Sequence, residues 1–165
     1  MVLFQRFRLV SAFTGSLLFT TSLLARAQEA AVSVGEELLD AENGVEAYQF
    51  GKSITEFPHL KVFLDDGETV TYVEPQKNLQ FQGVPLTEVL YTFTNTRLDG
   101  ISLSTNGPRN SARLYRALVA RYGPAKKISV PLLCFQWQGS KVLLSFSQAS
   151  KYNPAAQVLL MRLPE

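Results

Sequence analysis

Val89-Leu90-Tyr91-Thr92-Phe93 alternates buried-type aromatic and aliphatic residues with residues suited to a wetter surface. A similar run, Val142-Leu143-Leu144-Ser145-Phe146, returns later in the chain. Successive strand residues point to opposite faces, so such runs commit a chain to an antiparallel sheet with one covered and one solvated face. The stretches around them, Leu79 to Thr105 and Leu133 to Phe146, also share Phe81-Gln82 with Phe135-Gln136.

Further strands are expected at Leu60–Leu64 and Thr69–Val73, which flank the turn Asp65-Asp66-Gly67-Glu68, and at Ile101–Leu103 and Gln157–Leu163. Ser53 and Glu56 form an S-x-x-E capping box for a helix that Pro58 keeps short. One long helix is expected between a cap at Asn110 or Ser111 and a stop at Gly123-Pro124. Leu114, Leu118 and Tyr122 recur along it at helical spacing. The order is short helix, strands, longer helix, strands. The expected fold is α+β: an antiparallel sheet of four to six strands with helices on one face, read as two tandem αβββ units, 47–105 and 106–165, within a single domain over 47–165. This layout is similar to that of secreted β-lactamase-inhibitor proteins and of small envelope-assembly proteins, in arrangement only, without a diagnostic motif of either.

The amino terminus reads as an address. Arg6 and Arg8 precede a mostly apolar run from Leu9 to Leu24, and Ala25-Arg26-Ala27 supplies an A-x-A site. That order is a secretory signal peptide over 1–27, cut between Ala27 and Gln28. No cysteine follows the run to accept a lipid, and no later stretch reads as a transmembrane anchor. Export to the periplasm or exterior is the expectation. Residues 28–46, acidic and without aromatics, form either a helical turn or two around Leu38 and Leu39 or a mobile lead-in, with ordered structure expected from Ala47.

Charge is divided along the chain. Residues 28–74 carry eleven acidic and two basic side chains, and residues 75–165 carry three acidic and eleven basic. Either the acidic segment lies over the basic half of its own molecule, or a basic face awaits an anionic partner. Arg109, Arg113 and Arg116 line one side of the long helix, with Lys126 and Lys127 just beyond it. These five residues are the candidate partner-binding face. Nucleic acid is excluded as the partner by export and by the near-balance of 13 basic and 14 acidic side chains from Gln28 onward.

Catalytic chemistry finds little to build on. His59 is the sole histidine and Cys134 the sole cysteine, so neither a zinc motif nor a disulfide can be assembled from this chain. Cys134 alternates with Phe135 and Trp137 and reads as a small strand residue on the opposite face. Asp65, Asp66 and Glu68 lack calcium-loop spacing and read as turn chemistry. The scattered glycines match no phosphate loop, and Glu74 and Glu88 flank a strand region as a formal carboxylate pair that nothing else singles out. The sequence therefore points to a non-catalytic exported binding protein with no cofactor or metal, whose partner is a protein with an acidic surface. The alternative is an enzyme inhibitor or immunity-type protein.

Overall fold

A computed structural model describes residues 34–75, 78–129 and 133–164. The expected signal peptide and its cleavage point lie outside these residues. Among them, no helix is long and apolar enough to cross a membrane.

The chain is α+β, as its patterning requires. Helix α1 covers residues 34–42, and a small hairpin follows, β1 (Gly44–Val45) with β2 (Tyr48–Gln49). A three-residue 3-10 turn, Ile54–Glu56, stands where a stunted helix was expected. Ser53 Oγ accepts the Thr55 N–H and Glu56 Oε1 accepts the Ser53 N–H, which caps the turn as the S-x-x-E spacing implies. Strands β3 (Lys61–Asp65) and β4 (Thr69–Val73) form the hairpin around Gly67. After a second small hairpin, β5 (Gln80–Phe81) with β6 (Val84–Pro85), come β7 (Glu88–Thr94) and β8 (Arg97–Asn106). Asn95 and Thr96, with φ of 50° and 65°, make the two-residue turn between them. Helix α2 (Pro108–Tyr122) leads into β9 (Lys126–Ser129), β10 (Cys134–Gln138), β11 (Val142–Ser147) and β12 (Ala155–Arg162).

Eight strands form one antiparallel sheet in the order β3-β4-β7-β8-β12-β11-β10-β9. The last strand of each half, β8 and β12, pair at the centre, so each half contributes four strands in mirrored order. The expected count of four to six strands is therefore too low, and the repeating pattern is a helix and four strands rather than αβββ. The missed strand is β9, whose Lys126-Lys127-Ile128-Ser129 lacks apolar alternation because an edge strand with three exposed residues buries little. Val89–Phe93 and Val142–Phe146 do occupy corresponding strands, third from each edge, with Val, Tyr/Leu and Phe buried in both. Phe81 does not correspond to Phe135. It lies in the β5–β6 hairpin outside the large sheet, whereas Phe135 sits in β10, the counterpart of β4.

The core lies on one side of the sheet. Residues opposite one another in an antiparallel ladder share a face. Tyr72, Tyr91, Ile101, Leu160, Leu144 and Trp137 form one such line across the six inner strands. Leu39 of α1 and Leu114, Leu118 and Tyr122 of α2 join the same buried cluster. Both helices thus cover this face. The long helix begins earlier than Asn110: Gly107 precedes it with φ of 84°, and Pro108 takes the first turn, where no N–H is needed. Ser111 is buried inside the helix, and its hydroxyl accepts the Ala149 N–H from the loop after β11.

Helix α1 shows that ordered structure starts before Ala47. Leu39 is fully buried, and Gly35 meets the end of α2 so closely that a Cβ there would fall 1.9 Å from the Tyr122 carbonyl oxygen. Two acidic residues of α1 reach the second half of the chain. Glu42 accepts the Tyr122 hydroxyl at 2.7 Å and pairs with Arg121. Asp40 accepts the N–H groups of Ser140, Lys141 and Val142 at 2.6, 2.8 and 3.1 Å, capping the β10–β11 turn.

Candidate protein-binding face

The open face of the sheet is set by register. One row crosses all eight strands: Lys61, Val73, Leu90, Ser102, Leu159, Ser145, Gln136 and Lys126. On one side of it run Thr71, Thr92, Gly100, Met161, Leu143 and Gln138. On the other run Glu88, Ser104, Gln157, Ser147 and Cys134. A protein surface ordinarily carries charge at about a quarter to a third of its positions. Across the six inner strands of these three rows, Glu88 alone is charged.

Short polar side chains bind one another here. Gln157 Nε2 donates to Ser102 Oγ at 2.9 Å, Gln136 Nε2 donates to Gln138 Oε1 at 3.2 Å, and Cys134 Sγ lies 3.4 Å from Ser147 Oγ. These bonds run along and across strands and hold the side chains low on the sheet. Among them Val73, Leu90, Leu143 and Met161 are half-buried and Leu159 is 36% exposed. Gly100 lies between Thr92 and Met161, so the middle of the face has a shallow dent. The chemistry offered is apolar contact framed by hydroxyl and amide hydrogen bonding, with Lys61 and Lys126 at the two ends of the central row.

The sequence-derived basic face is dispersed by the fold. Arg109, Arg113 and Arg116 are exposed along α2. Arg113 donates to the Gly83 carbonyl at 3.0 Å and Arg116 to the Ala112 carbonyl at 3.2 Å, and neither forms an ion pair among the described residues. Lys127 opposes Phe135 on the helix side of β9, whereas Lys126 opposes Gln136 on the open face. The acidic segment meets the basic half instead at Arg121, whose guanidinium Glu42 holds above its ordinary pKa.

Glu74 and Glu88 lie on opposite faces. Glu74 Oε2 accepts the hydroxyl of helix-side Tyr91 at 3.3 Å, while Glu88 is registered against Ser104 on the open face. His59 is half-exposed, as a loop imidazole would be, but it has company. Tyr48 Oη lies 2.8 Å from His59 Nε2, and Glu74 Oε1 is 3.7 Å from the same nitrogen. Burial of Tyr48, together with nearby Glu74, pushes its pKa up to about 12 against the opposing hydrogen bond from Tyr91. Only the Glu74 and His59 members of this group stood out in the sequence. Tyr91 reads as a core residue and Tyr48 only as part of the first ordered stretch, and their hydroxyl partners depend on distant segments meeting. Asp65 is a turn residue, accepting the Gly67 N–H at 2.9 Å.

No protein-family model matches this chain, and no curated protein or solved structure matches it either.

Proposed function

We propose that this chain is an exported, non-catalytic binding protein that docks a protein partner on the open face of its sheet. The carrying observation is the central row, uncharged from Val73 to Gln136 with Leu90 and Leu159 on either side of Ser102. Interface cores are depleted of charge and enriched in low-lying apolar side chains. Eight strands spaced by about 4.8 Å, over three rows, present on the order of 700 Å². That is close to the roughly 800 Å² per partner of a standard protein complex. Such a footprint also suits a one-to-one inhibitor, so an enzyme stands among the partners this face would accept.

The test places a photo-crosslinking residue at Gln157 on the open face or at Arg113 on α2, in the full chain expressed in its own cell. A single adduct from position 157 and none from 113 is expected. An adduct from 113 alone would move the docking surface to the basic helix, and none from either would overturn the reading.

A further inference from the structure

The two edges of the large sheet are guarded unequally. An edge strand offers its unpaired N–H and C=O groups to any strand that reaches it, and charges along the edge discourage such pairing. Strand β9, at one edge, carries Lys126 and Lys127 within its four residues. Strand β3, at the other, reads Lys61-Val62-Phe63-Leu64-Asp65, and all five residues are exposed. Val62, Phe63 and Leu64 are 58, 57 and 50% exposed, the longest run of large apolar residues left in water among the described residues. The ladder to β4 slips between Val62 and Leu64. Leu64 therefore falls on the open face, Val62 on the helix side and Phe63 at the bulge between them, so this edge shows apolar surface in every direction.

The strand is its own complement. Antiparallel pairing with β3 of a second copy, about a twofold axis normal to the sheet, sets the Lys61 end of each strand beside the Asp65-Asp66 end of the other. The apolar residues of both strands then meet at the centre, flanked by opposite charges, which is a favourable cross-strand arrangement. Parallel pairing would set lysine beside lysine and aspartate beside aspartate, so the charges also choose the direction. The same twofold at β9 would gather the lysines of both copies with no acidic residue of that strand to meet them.

We infer that the chain forms a homodimer by antiparallel pairing of its β3 edges, which joins two eight-stranded sheets into one continuous sheet. The twofold keeps both helix layers on one side and both open faces on the other. A five-residue strand, about 17 Å long, buries far less than the roughly 800 Å² per partner of a standard complex. The dimer is accordingly weak and depends on concentration.

Sedimentation equilibrium of the full chain, from about 1 μM to about 1 mM, tests this directly. A monomer–dimer equilibrium is expected, with hydrogen exchange at Val62, Phe63 and Leu64 slowing as the dimer fills. Leu64→Lys, at an exposed position, should weaken the dimer by about tenfold or more, since it places a charge at the apolar centre. Lys61→Glu should weaken it several-fold by setting like charges together at both ends. Ile128→Lys on the β9 edge should leave it unchanged. A monomer at every concentration, a dimer that survives Leu64→Lys, or an open series of larger species, as β3-to-β9 pairing would give, would overturn the assignment.

Discussion

The Asp40 carboxylate accepts the Ser140 N–H at 2.6 Å, a bond between residues 100 positions apart that ties the first helix to the β10–β11 turn. Burial alone would raise the Asp40 pKa, but hydrogen bonds from the Ser140 hydroxyl and from the Lys141, Ser140 and Val142 N–H groups together lower it. Gly139 makes room for this contact, since a Cβ there would lie 2.2 Å from a carboxylate oxygen.

Asp40→Ala strands four donors at the turn. We expect a loss of about 1–2 kcal/mol, kept modest because water reaches the site. The sign with pH follows from the lowered pKa. The stabilisation is fully present above the ordinary carboxylate value near 3.8 and disappears as pH falls through the lower folded-state value. Urea titrations from pH 7 down to 2 should show the wild-type and Asp40→Ala curves converging at the acid end.

Gly35→Ala puts a methyl group into the Tyr122 carbonyl rather than into a movable side chain. Helix α1 must shift off the end of α2, at a cost of about 1–3 kcal/mol. Hydrogen exchange should accelerate at residues 39–43 and at Ser140–Val142. Unchanged protection there would mean that α1 and the turn are not coupled through Asp40.

Tyrosine ionisation offers a further check. Tyr48 is raised to about 12, and burial raises Tyr91 and Tyr122 as well, with nearby carboxylates adding to the effect. Neutral hydroxyls are thus favoured by the fold, and their contribution is whole below pH 10 and lost as pH rises through the folded-state values. Absorbance at 295 nm should show three of the six tyrosines resisting ionisation at pH 11 until the chain unfolds.

Leu114 and Leu159 should separate stability from binding. Leu114 is fully buried on the sheet-facing side of α2, so Leu114→Ala should cost about 2–5 kcal/mol in urea unfolding. Leu159→Asp on the open face should change stability by no more than about 0.5 kcal/mol. It should abolish the adduct formed from Gln157.

Much of the scaffold can be read in the chain itself. Helix α2 is legible because Leu114, Leu118 and Tyr122 recur at helical spacing, and β7 and β11 because their large apolar residues alternate. Where burial is slight, the pattern fades. Strand β9 carries too little period-two signal to be placed, and α2 starts ahead of the expected Asn110 or Ser111 because its cap is a backbone glycine rather than a hydroxyl.

The sequence by itself determined which residues shun water and at what period, and hence an α+β sheet with one covered face. Only the tertiary structure decided what lies beside what. Lys61 and Lys126 end one row, Asp40 reaches a turn 100 residues away, and His59 joins Tyr48 and Glu74, because ladder register and helix docking are set by packing between distant segments. Local periodicity reports the face a residue takes. Its neighbour on that face depends on contacts far along the chain.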